Sequence, residues 1–275
     1  MWAAEIPGES REARARRATE MARAALPDVD IEILWDGVWV RRVGADYFPD
    51  PDLFAREPNW ERWASQANKY LRDAEDYWFH LYKPQPGDVI VDIGAGRGED
   101  VFAFSRAVGA AGRVWAIEPH PVSFAALGKL CELNRLSNVT ALNCAAMDRA
   151  AELQIETLPV WESNYVRGGA PSATSHRVLA ARFDDLAAQY GIDRIDFLKM
   201  NIEGAEQQAL PSCAESLKRT HFVCVAAHDF RADRGEGEAF RTRAFIKEFL
   251  RAAGFRIVTR NDPRYYVPYH VHGMR

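Results

Sequence analysis

Short apolar segments rich in β-branched residues alternate along most of the chain with longer segments in which apolar residues recur every three or four positions. The short segments are typical of buried strands, and the longer ones predict amphipathic helices. Because the two kinds alternate, the sequence predicts an α/β fold with a doubly wound, mostly parallel sheet and right-handed crossovers. The predicted strands lie at 89–93, 114–117, 138–144, 195–200, 221–227, 256–259 and 265–271.

The N-terminal third of the chain carries a different pattern. Residues 1–27 are rich in Ala and Arg and are predicted to form a solvated helix or a partly ordered tail. Residues 30–48 alternate around Asp36-Gly37, which is a strong signal for a β-hairpin. We therefore divide the chain into an accessory region at 1–85 and a main domain at 86–275.

Aromatic side chains recur at helical spacing between residues 59 and 81. Such a stripe is typical of a helix that packs against the core of its domain. The sharper alternative is that Tyr77, Trp78 or Tyr82 closes over a bound ligand.

A glycine-rich turn follows the first predicted strand of the main domain. Gly94, Gly96 and Gly98 precede an amphipathic helix, and the next strand ends at Glu118, 20 residues beyond the last glycine. Glycines let the backbone approach a bound group closely at the positive end of a helix. A carboxylate at this strand end is placed to accept hydrogen bonds from ribose hydroxyls. The arrangement predicts a site for an adenosine-containing cofactor.

The spacing of the glycines decides which cofactor is favoured. A dinucleotide motif, G-x-G-x-x-G, needs its third glycine at position 99, but that position is Glu99, and Asp100 follows it. Carboxylates in the first helical turn repel a pyrophosphate, whereas the cationic sulfonium and ammonium groups of S-adenosylmethionine tolerate them. The sequence therefore favours S-adenosylmethionine over a nicotinamide dinucleotide. A glycine turn in a cofactor-free α/β domain is the simpler alternative.

Two segments beyond the third strand are candidates for further ligand contacts. Met147 is expected to pack on the adenine ring and Asp148 to accept from its exocyclic amine, although an ordinary turn aspartate is an equally good interpretation. Residues 152–177 are the least regular part of the chain, in a position where open α/β sheets carry function. We predict an acceptor-binding loop with Tyr165 and Arg167 as contacts. An unstructured insertion is the alternative prediction.

The composition of the chain indicates which kinds of partner and which cellular compartment are expected. The net charge of −4 argues against a nucleic acid backbone as the main partner. The four cysteines are widely spaced and lack a C-x-x-C pair, which predicts reduced core cysteines in a cytoplasmic protein. No apolar run approaches the roughly 18 residues that a membrane span needs. We expect no nucleic acid and no membrane partner, and the sequence leaves a homodimer open.

Two separated motifs carry a family resemblance. V-I-V-D-I-G-A-G-R-G at 89–98 and D-F-L-K-M-N-I-E-G-A-E at 196–206 resemble, in the same order, the paired motifs of FkbM-type S-adenosylmethionine-dependent methyltransferases. The resemblance implies a class I methyltransferase fold, with seven strands of which the last is inserted antiparallel. It also implies methyl transfer, usually to a hydroxyl of a sugar, glycan or natural product, so that a small molecule or glycan would be the acceptor.

The resemblance also assigns residues by position. Asp92, Gly94, Gly96 and Glu118 would bind the cofactor, and Lys199, Glu203 and Glu206 belong to the second motif. Lys199 and Glu203 therefore join the catalytic candidates. With the neighbouring and adenine-side positions, the predicted cofactor contacts are Asp92, Gly94, Ala95, Gly96, Gly98, Glu118, Pro119, Met147, Asp148 and Asn201.

Asn201 departs from the family pattern, which usually has an aspartate at the end of the fourth strand. An amide cannot act as a base or as a charged metal ligand, so attention shifts to His228 and Glu203. His228 follows the fifth strand and has an unperturbed pKa close to working pH. We hypothesise that His228 is the general base, with Asn201 and Glu203 orienting acceptor or cofactor. A structural histidine is the alternative.

Two other interpretations compete with this mechanism. A divalent cation held by Asn201, His228 and Asp229 would lower the pKa of the acceptor hydroxyl, and Mg²⁺ favours the oxygen ligands of such a set. With one clear carboxylate the set is under-charged for Mg²⁺, so the metal route is less favoured. A non-catalytic S-adenosylmethionine-binding protein is the second alternative, because Asn201 is compatible with lost activity.

Overall fold

The computed structural model describes residues 2–158, 172–264 and 266–275, together with the backbone of 166–167. The accessory region contains one longer helix, a three-stranded antiparallel sheet, two short helices and a π-helical turn at Ala74–Trp78. The bounds of its helices and strands are α1 (Arg11–Ala25), β1 (Ile31–Trp35), β2 (Trp39–Val43), β3 (Asp46–Pro49), α2 (Trp60–Ala64) and α3 (Gln66–Asp73).

The predicted hairpin is confirmed, because Trp35 pairs with Trp39 across the Asp36-Gly37 turn. β3 adds a third strand that the sequence analysis did not predict. The prediction of a fully solvated helix near the N-terminus is wrong for one face of α1. Ala18 and Ala22 on that face are buried in one apolar cluster with residues of β1.

Much of the rest of the chain alternates strands with helices, as predicted, but the described residues between 139 and 181 form consecutive strands without an intervening helix. The bounds are β4 (Val89–Ile93), α4 (Glu99–Val108), β5 (Arg113–Ile117), α5 (Pro121–Leu133), β6 (Val139–Leu142), β7 (Ala145–Ala146), β8 (Ala151–Glu156), β9 (Val166–Arg167), β10 (Ser175–Ala181), α6 (Phe183–Tyr190), β11 (Ile195–Met200), α7 (Glu206–Ala209), α8 (Ala214–Leu217), β12 (Thr220–Ala226), α9 (Asp229–Asp233), α10 (Arg243–Ala252), β13 (Arg256–Thr259) and β14 (His270–Met274). Short 3₁₀ turns lie at Leu210–Cys213, Glu238–Phe240 and Val267–Tyr269.

Seven of these strands form the central sheet, in the order β13-β14-β12-β11-β4-β5-β6. β14 lies antiparallel between β12 and β13, and the other neighbouring strands are parallel. This confirms the predicted mostly parallel sheet with the last strand inserted antiparallel.

The strand order reverses at β4, which has β5 on one side and β11 on the other. All six residues of β11 are buried, as expected for a central parallel strand that is covered on both faces. In open α/β sheets, ligands bind outside the carboxyl ends of the strands at such a reversal. The fold therefore places a site above the ends of β4, β5 and β11.

The described parts of residues 152–177 are more regular than predicted. β8 and β10 pair antiparallel, with Ser175 opposite Glu156 and Ala180 opposite Ala151, in a second sheet of order β7-β10-β8-β9. The segment A-E-L-Q-I-E of β8 alternates apolar and polar residues, which is the period of a half-buried strand. The prediction of irregular structure is therefore wrong for β8 and for the first three residues of β10.

The last strand begins later than predicted. Pro268 lies in the 3₁₀ turn Val267–Tyr269, and β14 starts after it at His270. Proline has no N–H to donate to a ladder, so the strand begins beyond it. Within the described ranges, no helix is long and apolar enough to cross a membrane.

Candidate active site

The glycine-rich turn joins β4 to α4 at the point of strand reversal. Gly94, Gly96 and Gly98 have φ values of 83°, 57° and 94°, which side-chain-bearing residues rarely adopt. A Cβ on Gly94 would lie 2.0 Å from the backbone oxygen of Asn201, and one on Gly98 would lie 2.8 Å from Leu127 Cδ1. The turn therefore packs closely against the end of β11 and against α5, which fixes its position.

A cleft with about 950 Å³ of empty space opens over this turn. One wall is apolar and is formed by Ile93, Ile117, Ala145, Ala146, Met147 and Ile155. The charged lining consists of Glu99, Asp100, Glu118, Glu203 and Lys199. Four carboxylates and one ammonium make the lining acidic.

Glu118 lies just beyond β5 and is buried. Its two carboxylate oxygens accept hydrogen bonds from the backbone N–H groups of Gly96 and His120, both at 2.8 Å. Burial raises the pKa of Glu118 to about 7, although these two hydrogen bonds act in the opposite direction. Glu118 is therefore held in one orientation at the cleft wall and changes its charge near neutral pH.

We expect the affinity for S-adenosylmethionine to weaken by up to about tenfold as the pH falls from 8 to 6. Above a pKa of about 7 the Glu118 carboxylate is ionised and accepts from ribose hydroxyls, and below it the protonated form loses acceptor capacity. Titration calorimetry at several pH values measures the effect. Glu118→Gln should bind more weakly at pH 8 and show little pH dependence. A flat wild-type profile would contradict the assignment of Glu118.

Lys199, on β11, is fully buried at the floor of the cleft. Its ammonium nitrogen lies 2.8 Å from Asp92 Oδ1, 2.8 Å from the Gly94 carbonyl oxygen and 3.3 Å from Asp100 Oδ2. Burial alone would lower the pKa of Lys199, but Asp92 and Asp100 outweigh it and raise the pKa, so the side chain is a cation. Lys199 therefore ties β11 to β4 and to the glycine turn.

The accessory region holds two carboxylates of the cleft. Trp78 Nε1 donates to Asp100 Oδ1 at 2.8 Å, and the Tyr70 hydroxyl donates to Glu99 Oε1 at 3.0 Å. Trp78 and Tyr70 are buried members of the predicted aromatic stripe. The stripe packs against the main domain, as the first interpretation predicted, and it also orients these acids.

His228 follows β12 and is 2% exposed. Its Nε2 lies 3.0 Å from Glu203 Oε1 in a hydrogen bond, and its Nδ1 lies 2.9 Å from Glu206 Oε1 in an ion pair without hydrogen-bond alignment. Burial alone would lower the pKa of His228, but Glu206 and Glu203 together raise it to about 10. An imidazolium has no lone pair for a further proton, so this geometry opposes a general-base role for His228.

Glu203 is the member of this ionic group that lines the cleft. Its backbone has a φ of 53°, a left-handed conformation that costs free energy in a residue other than glycine and that clusters at functional sites. Its Oε2 accepts from Arg231 Nη1 at 2.8 Å, opposite the contact of Oε1 with His228. Two cationic side chains therefore hold the Glu203 carboxylate in place.

The structure brings most, but not all, of the predicted cofactor residues to the cleft. Those that line it are Gly94, Ala95, Gly96, Glu118, Pro119, Met147 and Asn201. Asp92 lies behind the turn against Lys199, and Gly98 is the N-cap residue of α4. Asp148 is exposed and pairs with Arg149 at 3.2 Å, so the ordinary turn aspartate is the better interpretation.

The side chains predicted to bind the acceptor lie outside the described part of the chain, and the residues predicted to bind a metal ion do not form such a site within it. Tyr165 lies outside the described residues, and only the backbone of Arg167 is described, in β9. Asp229 Oδ1 accepts from the backbone N–H groups of Thr242 and Arg243, at the start of α10. Because His228 contacts two carboxylates, Asn201, His228 and Asp229 do not form a common ligand set. Within the described ranges, no group of three or more His, Cys, Asp and Glu side chains has the arrangement of a metal site.

Several lining residues were missed by the sequence analysis: Ser123, Cys144, Ala145, Ala146, Ile155, Ile202 and Ala205. The two alanines directly precede Met147, so the end of the third strand was a usable signal. Asp100 was noted only as an acid of the first helical turn. Ile155 comes from a second sheet, and nothing in the local sequence places it beside the glycine turn.

The family model described as "Methyltransferase FkbM domain" matches residues 92–257, which is more than half of the chain and spans the glycine turn and the second motif. The chain belongs to the FkbM methyltransferase family. This family is one of S-adenosylmethionine-dependent methyltransferases. A search of curated proteins found no match.

One solved structure supports the fold of this FkbM-family protein, and a second is reported for comparison. Methyltransferase FkbM from Methylobacillus flagellatus KT matches with a TM-score of 0.51 and 16% identity, covering 78% of this chain and 52% of that chain. The chain thus spans about half the length of that structure. Fibrillarin from Aeropyrum pernix, in complex with natively bound S-adenosyl-L-methionine, matches with a TM-score of 0.44 and 13% identity, over 88% of this chain and 98% of that chain. The first match supports the class I fold, and neither carries information on the acceptor.

The chemistry of the cleft fits S-adenosylmethionine. The apolar wall with Met147 suits an adenine ring, Glu118 suits ribose hydroxyls, and the acidic lining suits a sulfonium and an ammonium group. When bound, the cofactor supplies a methyl group that its sulfonium has already activated.

Proposed function

We propose that this protein is an O-methyltransferase that acts on a hydroxyl group of a sugar, glycan or natural-product acceptor. The observation that carries the proposal is the position of Glu203. This carboxylate lines the cofactor cleft beyond the end of β11 and is held by His228 and Arg231. A hydroxyl that attacks a methyl group must lose its proton during transfer, and Glu203 is placed to accept it.

The mechanism requires that the acceptor hydroxyl is oriented toward the methyl group and that a weak base takes its proton. Asn201 and Glu203 hold the hydroxyl in line with the methyl group. Bound S-adenosylmethionine would supply the activated methyl group, and the acceptor hydroxyl would lose its proton as it takes that group. Glu203 takes this proton. His228 is then a positioning residue rather than the general base that the sequence suggested.

A second cleft supports a polar acceptor. It has about 880 Å³ of empty space between the accessory region and the glycine turn, and it shares Glu99 with the cofactor cleft. Its charged lining consists of Arg41, Arg56, Arg62, Arg97, Asp50, Asp52, Glu57 and Glu99. Equal numbers of guanidinium and carboxylate groups leave this lining without a net charge, and several of them pair with each other, as Arg97 does with Asp50 and Asp52. Such a surface suits the uncharged, polyhydroxylated remainder of an acceptor better than a phosphate.

An acceptor screen tests the proposed function. Neutral mono- and disaccharide glycosides, polyketide alcohols and primary amines are incubated with S-adenosylmethionine, and both S-adenosylhomocysteine and methylated product are measured by mass spectrometry. We expect a methyl ether from at least one hydroxyl acceptor and none from its deoxy analogue. Prior dialysis against EDTA should leave the rate unchanged, whereas rescue by added Mg²⁺ would favour the metal route. Methylation of amines alone would contradict the proposal, and cofactor binding without turnover would favour a non-catalytic binding protein.

A further inference from the structure

The two acids that contact Lys199 leave an unbalanced negative charge in the cofactor cleft. The Lys199 ammonium is one cation shared between Asp92, at 2.8 Å, and Asp100, at 3.3 Å. Asp92 is fully buried and does not line the cleft, whereas Asp100 lines it with a side chain that is 24% exposed. The residual charge of this group therefore faces the ligand through Asp100.

The other carboxylates of the cleft have different partners. Glu203 contacts two cationic side chains, His228 and Arg231. Glu118 accepts two backbone hydrogen bonds, and Glu99 accepts from Tyr70 and lies 3.9 Å from Arg62. Asp100 is therefore a lining carboxylate whose cation, Lys199, is shared with the fully buried Asp92.

Asp100 is also fixed before any ligand arrives. Trp78 Nε1 donates to one carboxylate oxygen at 2.8 Å, and Lys199 lies against the other. A charge that is already oriented interacts with a ligand without a reorganisation cost. Because the side chain is mostly buried, its field is screened less than that of a surface carboxylate.

We propose that Asp100 makes the cleft selective for the cationic methyl donor over its neutral product, S-adenosylhomocysteine. During transfer the carbon–sulfur bond breaks, sulfur keeps the electron pair and becomes a neutral thioether, and the acceptor proton moves to Glu203. The spent cofactor thus loses the charge that Asp100 attracts, and its release is favoured. The inference rests on methyl transfer as the function, but it does not depend on which acceptor is used.

Titration calorimetry without any acceptor tests this selectivity, so the outcome is independent of the acceptor screen. The three ligands are S-adenosylmethionine, S-adenosylhomocysteine and sinefungin, an analogue that carries an amine in place of the sulfonium methyl. In Asp100→Asn we expect about tenfold weaker binding of the two cationic ligands and less than twofold weaker binding of S-adenosylhomocysteine. Asp193→Asn, an exposed change near the opposite end of β11, should alter none of the three.

A second variant covers the case in which Asp100→Asn does not fold. Trp78→Phe keeps an aromatic ring but removes the N–H that orients Asp100, and it should reduce the same preference by a smaller factor. Circular dichroism verifies that each variant is folded. Equal weakening of all three ligands, or no change in a folded Asp100→Asn, would overturn the proposal.

Discussion

Replacing Lys199 by methionine is expected to lower the free energy of unfolding by about 3–5 kcal/mol. The ammonium is buried among Asp92, Asp100 and the Gly94 carbonyl oxygen. Without it, the fully buried Asp92 carboxylate has no nearby cation and cannot be solvated. Removing one partner of a buried ion pair costs more than the intact pair contributes, because a charge remains in the core. Urea denaturation followed by circular dichroism measures the change.

A double variant separates the charge effect from loss of packing. In Asp92→Asn/Lys199→Met the buried pair is replaced by neutral groups, and we expect at least half of the lost stability to return. A loss below about 1 kcal/mol in the single variant would show that Lys199 does not hold β11 to the glycine turn. A double variant that is less stable than the single one would point to hydrogen bonding by Asp92 as the main contribution.

Replacing Glu203 by glutamine is expected to slow methyl transfer by about 10²–10⁴-fold. The amide keeps the shape of the side chain and its place against Arg231, but it cannot accept the hydroxyl proton. Affinity for S-adenosylmethionine should stay within about threefold of wild type, since the expected loss concerns the proton and not the donor. The rate of methyl transfer is measured as release of S-adenosylhomocysteine at saturating cofactor. Calorimetry measures the affinity for S-adenosylmethionine.

The same assay decides between Glu203 and His228 as the proton acceptor. His228→Gln should slow turnover by only about tenfold, because Arg231 still holds Glu203. His228 has a pKa of about 10 and is charged below that value. At saturating cofactor, the wild-type rate should therefore not change near pH 6.5 through ionisation of His228. A limb near pH 6.5 that disappears in His228→Gln, or a larger loss there than in Glu203→Gln, would restore the histidine as the base.

The strand and helix order, the glycine turn and the cleft-lining position of Glu118 could be predicted from the sequence. Each depends on local information: the period of apolar residues defines an element, and glycines mark the turn between two of them. The family resemblance added the inserted antiparallel strand, which no local pattern indicates. β8 was missed although its alternation is visible in the sequence, because its partner β10 lies about 20 residues later and no local pattern shows that the two strands pair.

The amino-acid sequence by itself determined the fold class, the cofactor turn and the identity of the residues at the ends of β4, β5 and β11. Only the tertiary structure decided what those residues do. His228 changes from a candidate base to a cation because β11 and β12 are neighbours, which brings Glu203 and Glu206 against its ring. Asp100 gains its fixed orientation from Trp78, which lies 22 residues earlier in the accessory region. The charge and direction of a buried side chain depend on groups that are distant in sequence, and folding alone brings them together.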